Sequence, residues 1–233
     1  MSHLATKSAL LVFDRMRSSS RPSLPQPTAA LAVVRPLPSV RDNTALVEGL
    51  RAGEAWARAA LFERFGPEVR RLLRKILGPQ PSLEIADLIH DVFVRALESI
   101  GQLREPSAML AWMQAITART AFRAIRAQRA RRWLKFWEPV EEVELPSRAV
   151  DTEALEAYRR TYAVLDRMPA AERIVFALRY IDGMELAPLA VACDTSLATV
   201  KRRLAKAESR FVAAALKDDV LRPWLQEGNR WTT

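Results

Sequence analysis

The sequence predicts an all-α protein with two small helical domains joined by an acidic, flexible linker. Only seven Gly occur, and five of the fourteen Pro lie before residue 41, so the rest of the chain is poor in turn formers and rich in Ala, Leu and Arg. From residue 43 onward, apolar residues recur at three- and four-residue steps, which is the helical period. No strand pattern competes with this period. Between two such stretches the charge changes sign abruptly, which marks the linker.

Composition and charge narrow the possible functions. Apolar residues make up 49% and charged residues 27% of the 233 residues, which fits a soluble globular protein with one or two cores. The chain has 36 basic and 27 acidic residues and a formal net charge of +9. We therefore expect a polyanionic partner, with nucleic acid first and an anionic membrane surface second.

Few residues are suited to catalysis or metal binding. Cys193 is the only cysteine, which fits a reducing cytoplasm. His3 and His90 are the only histidines, and with one cysteine they cannot form a His/Cys zinc site or a Ser-His-Asp triad. Phosphate-binding glycine motifs are absent, and no run of about 18 apolar residues predicts a membrane span. These absences disfavour most hydrolase chemistry and predict no membrane insertion.

Composition divides the chain into an arm (1–41), a first helical domain (42–135), a linker (136–151), a second helical domain (152–216) and a tail (217–233). The arm is rich in Ser and Pro and carries six basic residues and one acid, which is typical of a flexible segment. Residues 106–137 carry seven basic residues and no acid, whereas residues 138–156 carry seven acids and one basic residue. In the tail, Trp224 and Trp231 are expected to pack on the second domain by default, and binding of a regulator is the alternative.

Turn residues and periodicity predict the helices of each domain. In the first domain we expect a helical stretch from residue 43 that Gly66-Pro67 and Gly78-Pro79 interrupt, a helix over residues 83–100, and a long helix from 107 to 132 with Ser107 as its N-cap. In the second domain we expect helices over residues 152–167, 170–181, 186–193 and 197–215, with Pro169 in a first helical turn.

The helix over residues 83–100 carries an acidic stripe opposite its apolar face. At about 100° per residue, Ile89 and Phe93 belong to the core arc. The stripe consists of Glu84, Asp87, Asp91 and Glu98. A solvated helix face and a docking surface for a basic partner both fit this pattern, since a stripe of one sign steers association.

The long helix carries cations without acids. Arg119, Arg123 and Arg126 lie within an arc of about 60° on a straight helix. Further cations follow at Arg129, Arg131, Arg132 and Lys135, and aromatic residues are interleaved at Trp112, Phe122, Trp133, Phe136 and Trp137. Guanidinium groups beside aromatic rings suit single-stranded or melted nucleic acid, although Trp112 and Phe122 are expected to be core residues.

A helix-turn-helix candidate follows in the second domain. It comprises residues 185–193, a turn at 194–196 and a helix from Leu197. The residues spaced to pack inward are Val200, Leu204, Ala207 and Phe211. Those that point outward are Ala198, Thr199, Lys201, Arg202, Ala205 and Lys206, and such small and cationic groups can enter a major groove. A basic amphipathic helix without a DNA role fits the same pattern.

Together these segments resemble the two-domain sigma factors of the extracytoplasmic-function (ECF) group, over residues 44–135 and 155–216. The segments that carry the resemblance are ALVEGLRAGEAWARAALFERFGPEVRRLL, ADLIHDVFVRAL, AWMQAITARTAFRAIRAQRARR, VLDRMPAAERIVFALRYIDG and SLATVKRRLAKAESRF. The order and spacing of these segments are more specific to the ECF group than any single segment is.

The resemblance implies a role for each of the three faces. The helix matching ADLIHDVFVRAL docks on coiled helices of the polymerase clamp in such proteins, which implies polymerase binding by Glu84, Asp87, His90, Asp91 and Glu98. The segment from LREPSAMLAWM to RAQRARR captures and melts the minus-ten element, which implies DNA binding by Arg119, Arg123, Arg126, Arg129, Arg131 and Arg132. The TVKRRL helix reads the minus-thirty-five element, which implies DNA binding by Ala198, Thr199, Lys201, Arg202, Arg203 and Lys206.

Five positions depart from the family pattern. They are His90 where Gln is usual, Thr120 where Asn is usual, Pro188 where Glu is usual, Asp194 where Gly is frequent, and Arg202 where Ser is frequent. A proline within the first turn of a helix is tolerated. Family rules for promoter sequence therefore do not transfer to this chain.

The function that the resemblance implies is non-catalytic, so we expect no catalytic residue, no metal and no cofactor. The chain would bind core RNA polymerase and direct initiation at promoter DNA, and an anti-sigma factor is a further partner that the group commonly has. One alternative is a helix-turn-helix regulator that binds duplex DNA without polymerase. Another is a nucleic-acid enzyme with magnesium on Glu138, Glu141, Glu142 and Glu144, although the predicted linker offers these acids no scaffold. A test of binding to core RNA polymerase distinguishes these three functions.

Overall fold

The protein is helical throughout the part that the structure describes. The structure is a computed structural model, and it describes residues 43–79, 85–134 and 152–227. Within these ranges the chain forms helices joined by short turns, without a β-strand. The predicted fold class, all-α with two domains, is confirmed. The predicted arm and linker lie outside the described residues.

The described residues of the first domain form four α-helices and two short 3-10 turns. They are α1 (Thr44–Arg51), α2 (Ala55–Leu77), α3 (Ile85–Ser99), the 3-10 turns Ile100–Gln102 and Pro106–Ala108, and α4 (Met109–Leu134). The longest helices, α2 and α4, pack on each other and on α3. Leu72, Leu73 and Ile76 of α2 are wholly buried, as are Val92 of α3 and Met113 of α4. A single apolar core therefore holds α2, α3 and α4 together.

Two sequence predictions about this domain are wrong. Gly66-Pro67 does not interrupt the helical stretch, because α2 runs through it with Pro67 inside the helix. Phe65 and Val69 on either side are buried on the same face, while Pro67 is exposed. The stability gained by burying apolar side chains on both sides of Pro67 thus exceeds the stability lost with the backbone hydrogen bond that proline cannot donate. Ser107 does not cap the long helix, because it lies within the 3-10 turn and α4 begins at Met109.

The second domain contains the remaining helices. They are α5 (Thr152–Arg167), α6 (Ala170–Phe176), which continues as a π-helical turn (Ala177–Asp182), α7 (Leu186–Ala192), α8 (Leu197–Ala215) and α9 (Leu221–Glu227). The bounds of α5 and α8 are those predicted. Pro169 is the N-cap of α6 with an extended ψ of 140°, and not part of the first helical turn. In the predicted tail, α9 packs on α5 and α8, and Trp224 is half-buried against the core, whereas Trp231 lies outside the described residues.

The two domains pack directly on each other. The C-terminal part of α2 contacts the π-helical turn, and α4 contacts both α6 and α7. Buried apolar residues form one continuous cluster that crosses from the first domain into the second. This contact sets the relative position of the three predicted functional faces.

Candidate nucleic-acid interface

The acidic stripe lies on the exposed side of α3. Asp87, His90, Asp91 and Glu98 are exposed, and Ile89, Val92, Phe93 and Ala96 on the other side of the helix are buried. Glu84 lies outside the described residues. The helix thus presents a row of carboxylates to solvent along its full length, with its apolar face fixed by α2 and α4.

Two apolar side chains on α3 and its neighbour α2 are exposed, Val94 and Phe62. At about 100° per residue, Val94 falls between Asp87 and His90 on the helix surface, and its side chain is 36% exposed. Phe62 of α2 is 51% exposed, and its ring lies 5.0 Å from that of Phe93 between centroids. An apolar centre with a polar rim is typical of a protein-binding surface. The sequence analysis missed this pair, although a helical wheel of α3 places Val94 within the stripe.

The predicted arginine face of α4 is only partly free for a ligand. Arg119, Arg123, Arg126 and Arg131 are exposed. The guanidinium carbon of Arg126 lies 5.7 Å from the centroid of the Phe122 ring, a cation–π distance. Arg123, Arg126 and Arg131 are open to a phosphate backbone, whereas Arg119 lies 3.6 Å from the carboxylate of Asp194 in the turn of the second domain.

The other two predicted arginines differ from this group. Arg129 is half-buried, and its Nη2 donates to the backbone carbonyl of Asp166 in the second domain at 2.9 Å. Arg129 therefore holds the domains together in this arrangement and does not lie open to DNA. The Arg132 side chain lies outside the described residues. Trp112 and Phe122 pack against the core, as predicted.

The loop before α4 is held in place by α1. The side-chain amide of Asn43, the residue before α1, donates to the carbonyl of Pro106 at 2.9 Å. Arg51 at the other end of α1 donates to the carbonyl of Leu103. The loop therefore has a fixed course at the N-terminus of the cationic helix. Neither residue was singled out from the sequence, because the loop carbonyls lie more than fifty positions away.

The helix-turn-helix prediction corresponds to α7, a turn and α8. Ser196 caps α8, with its Oγ accepting from the amide of Thr199 at 3.2 Å. Pro188 lies in the first turn of α7, where a missing amide hydrogen costs little. Asp194 in the turn has a φ of 48°, a left-handed conformation that suits glycine and that aspartate tolerates.

The outward face of α8 is the predicted one. Ala198, Lys201, Arg202 and Lys206 are exposed and Thr199 is half-exposed, while Val200, Leu204, Ala207 and Phe211 are buried. Arg203 differs from the others because it lines a cavity against α4, where it is half-buried. In this arrangement Arg203 is not on the open face.

Two polar contacts fix α8 on its own domain. The buried hydroxyl of Tyr180 donates to the Glu208 carboxylate, and Nε of Arg210 contacts the Glu172 carboxylate at 2.8 Å. A buried carboxylate that accepts a hydrogen bond is satisfied, whereas a buried carboxylate without a hydrogen-bond donor lowers the stability of the fold. The burial of Glu208 was not predicted, because charged and apolar residues are mixed in this part of α8.

None of the groups of His, Cys, Asp or Glu among the described residues is arranged to hold a metal ion, and the four acids of the magnesium hypothesis, from Glu138 to Glu144, lie outside these residues. Among the described helices, none combines the length and apolarity that a membrane span needs.

Comparison with protein families and curated proteins identifies relatives of both domains. Residues 61–131 match the family model of Sigma-70 region 2, and residues 158–211 match that of Sigma-70, region 4. The ECF RNA polymerase sigma-E factor of Escherichia coli K12 is 24% identical over 173 residues, covering 70% of this chain and 88% of that protein. The RNA polymerase sigma-H factor of Pseudomonas aeruginosa is 23% identical over 193 residues, covering 78% of this chain and 95% of that protein.

Solved structures share the fold. The structure of CnrH in complex with the cytosolic domain of CnrY aligns with a TM-score of 0.53 and 21% identity, over 76% of this chain and 99% of that chain. The sigma factor RpoE in complex with the anti-sigma factor NepR, from Bartonella quintana, aligns with a TM-score of 0.50 and 18% identity, over 69% of this chain and 97% of that chain.

Proposed function

Because this chain is an ECF sigma factor with sigma-70 regions 2 and 4 that directs promoter-specific initiation by RNA polymerase, we propose which of its surfaces perform each step. Region 2 is the first domain and region 4 is the second. Sigma factors are non-catalytic polymerase subunits, so the polymerase supplies the active site. The observation that supports the assignment is that one acidic and two cationic exposed faces lie on three different helices, α3, α4 and α8.

The polymerase-docking surface is the exposed side of α3. Asp87, His90, Asp91 and Glu98 supply the polar rim, and Val94 with Phe62 supplies the apolar centre. An apolar centre contributes most of the affinity of a protein interface, whereas exposed rim charges mainly speed association and set partner choice. We therefore assign affinity to Phe62 and Val94 and steering to the acids.

The minus-ten surface is the cationic face of α4. Arg123, Arg126 and Arg131 are exposed on it, with the Phe122 ring beside Arg126. Cations next to an aromatic ring favour an unpaired strand, because phosphates are neutralised while bases stack. Arg119 and Arg129 join this surface only after their contacts to region 4 are released.

The minus-thirty-five surface is the N-terminal part of α8. Arg202 lies in the second turn of this helix, where a recognition helix reaches deepest into the major groove, and Lys206 lies one turn further on. Arg202 is therefore assigned to base contacts and Lys206 to phosphate contacts, with Ala198, Thr199 and Lys201 beside them.

Further partners and location follow from the family. An anti-sigma factor is proposed as a regulatory partner, since the RpoE structure of similar fold is a complex with the anti-sigma factor NepR. The chain is proposed to act in the cytoplasm, where polymerase and promoter DNA are present.

Run-off transcription with purified core RNA polymerase tests the assignment. The chain is expected to form a complex with core enzyme and to start transcripts at defined positions on a genomic template library. Duplex DNA binding without a stable polymerase complex would contradict the docking surface and leave only a helix-turn-helix regulator.

A further inference from the structure

A cavity of about 260 Å³ lies where region 4 packs on region 2. Its walls come from α4 of region 2 and from α6, α8 and the end of α7 in region 4. The contacts of α4 with both α6 and α7 fix the shape of the cavity. Clefts between domains are a common place for small-molecule sites. Neither the polymerase-docking surface nor the open face of α8 accounts for this cavity.

Most of the cavity wall is apolar. Ala118, Ile174 and Ala192 are buried, and Phe122 and Ala171 are half-buried. An apolar cavity of roughly 150 Å³ is large enough to bind benzene in a protein interior. The cavity between the two regions is larger than that, so it has room for one aromatic ring and a short substituent.

The ionic groups of the wall leave one positive charge unbalanced. They are Arg119, Asp194 and Arg203. Arg119 lies 3.6 Å from the carboxylate of Asp194, so these two charges compensate each other. Arg203 is half-buried, and among the described residues it has neither a hydrogen-bond partner nor an ion-pair partner. The cavity therefore contains a guanidinium whose counter-charge is not supplied by the described part of the chain.

An anion in the cavity would compensate this guanidinium. Removing a cation from water is costly unless the cation is paired, and a half-buried arginine bears part of that cost. A carboxylate is the natural partner, because it can accept two parallel hydrogen bonds from one guanidinium. The wall around Arg203 thus combines an apolar surface for a ring with a cation for an acid.

The charge and the volume of the cavity select among anions. A phosphate monoester carries a charge of about −1.5 to −2 near neutral pH, whereas only one cation of the cavity is unpaired. A monoanion matches that single charge. The apolar wall also disfavours the polar sugar of a nucleotide. A compact aromatic carboxylate satisfies both the charge and the wall.

We propose that this cavity binds a small aromatic carboxylate, with its ring on Phe122 and Ile174 and its carboxylate paired with Arg203. The ligand would contact both regions, because Phe122 belongs to α4 and the other two residues belong to region 4. This goes beyond the proposed function, since neither polymerase nor promoter DNA takes part in the binding.

Cys193 reports on the occupancy of the cavity. It lines the cavity and is the only cysteine of the chain. Burial raises the pKa of its thiol to about 11, and the neighbouring Arg203 opposes that shift. A bound carboxylate would raise this pKa further, and a bound ring would block access to the sulfur. Because alkylation requires the thiolate, both effects slow the reaction of Cys193 with N-ethylmaleimide.

The test measures binding of phenylacetate to the full-length chain at fixed pH. A ligand of this size that buries its ring is expected to bind with a dissociation constant of about 1 mM or below. At ten times this constant, phenylacetate should slow the alkylation of Cys193 about tenfold. Saturation-transfer NMR should show contact of the phenylacetate ring with the protein without any reaction at the thiol.

Two small molecules separate the contributions of ring and charge. Phenylacetamide has nearly the same shape but no charge, and it should bind at least about tenfold more weakly than phenylacetate, because it cannot form an ion pair with Arg203. Acetate at the same concentration has the charge but no ring. It should leave the alkylation rate of Cys193 nearly unchanged, which also controls for ionic strength.

Three variants test the site itself. Arg203→Met keeps an apolar side chain of similar reach, and it should weaken phenylacetate at least about tenfold while leaving phenylacetamide nearly unchanged. Ala171→Leu fills part of the cavity and should weaken both molecules. Arg159→Met removes an arginine of α5 that is 45% exposed and pairs with Glu156, and it should change neither affinity. Circular dichroism monitors the fold of each variant.

Three results would overturn the proposal. One is the absence of both saturation transfer and Cys193 protection at about 20 mM phenylacetate, far above the expected constant. Another is equal affinity for phenylacetate and phenylacetamide. The third is unchanged phenylacetate affinity in folded Arg203→Met and Ala171→Leu proteins. Because the experiment contains neither polymerase nor DNA, each of these results leaves the proposed function untouched.

Discussion

The cationic face of α4 leads to a quantitative prediction for single-stranded DNA. Arg123 and Arg126 are exposed, whereas Arg119 faces Asp194, so the first two are the arginines to change together to Ala. Each phosphate contact to a single strand contributes about 0.7 to the slope of log K against log salt. Two lost contacts should flatten the slope by about 1.4. Over a fourfold change in salt, such as 50 to 200 mM, the affinity loss of the variant should then be about sevenfold smaller than that of the parent.

Fluorescence anisotropy with labelled oligothymidylate measures this slope, because a sequence-independent probe avoids any assumption about the promoter. Arg70→Ala with Arg74→Ala is the matched control, since it removes the same two charges from exposed positions on α2. The control should lower affinity slightly with a nearly unchanged slope. Equal slopes for parent and test variant, or equal flattening in the control, would refute the assignment of Arg123 and Arg126 to phosphate contacts.

Three further predictions concern the other surfaces. Asp87→Lys with Asp91→Lys should weaken binding to core RNA polymerase at low salt and much less at high salt, as measured by fluorescence titration, because rim charges act mainly on association. Arg202→Ala should relax the preference at one or two base pairs, at a cost of about 1 to 3 kcal/mol, whereas Lys206→Ala should lower affinity for all sequences alike. Selection on randomised promoters measures both. Tyr180→Phe should lower the free energy of unfolding by about 1 to 3 kcal/mol in urea titration, because the buried Glu208 loses a donor.

Matched controls sharpen these tests. Glu48→Lys with Glu63→Lys changes net charge by the same amount at exposed positions on α1 and α2, and should leave polymerase affinity nearly unchanged. Phe62→Ala should weaken polymerase binding at every salt concentration, in contrast to the charge reversal. If polymerase binding weakened with the same salt dependence in all three variants, the acidic stripe would be a solvated helix face and not a docking surface.

Helix positions and helix faces were predictable from the sequence because they depend on local periodicity. In α8 the apolar residues Val200, Leu204, Ala207 and Phe211 recur at three- and four-residue steps, and all are buried. The same rule gave the exposed acids of α3 and the exposed arginines of α4. Burial is decided within a few residues of chain in each case, so a 3.6-residue period is sufficient to assign the faces.

Contacts across the chain were not predictable in this way. The partners of Arg173 are carbonyls of Ile76 and Leu77, almost a hundred positions away, and no spacing rule links them. Gly66-Pro67 was read as a break because turn propensity was judged without the neighbouring helices, whose packing keeps α2 continuous. The contact of Arg129 with the carbonyl of Asp166 in region 4 was not predicted either, whereas the role of Arg129 in DNA binding stays a prediction. In each case a tertiary partner overrides local preference.

Asp194 affects both the local backbone conformation of the turn and the packing of the two domains. At a φ of 48° a glycine is free of strain, whereas an aspartate is tolerated at some cost. A glycine there would leave Arg119 facing the turn without an anion, and the chain as a whole carries an excess of nine positive charges. Asp194 and Asp182 therefore place carboxylates at two of the points where cations of region 2 meet region 4, and so oppose the repulsion between two basic surfaces. The residue that departs from the family pattern in the turn thus supports the packing of region 4 on region 2.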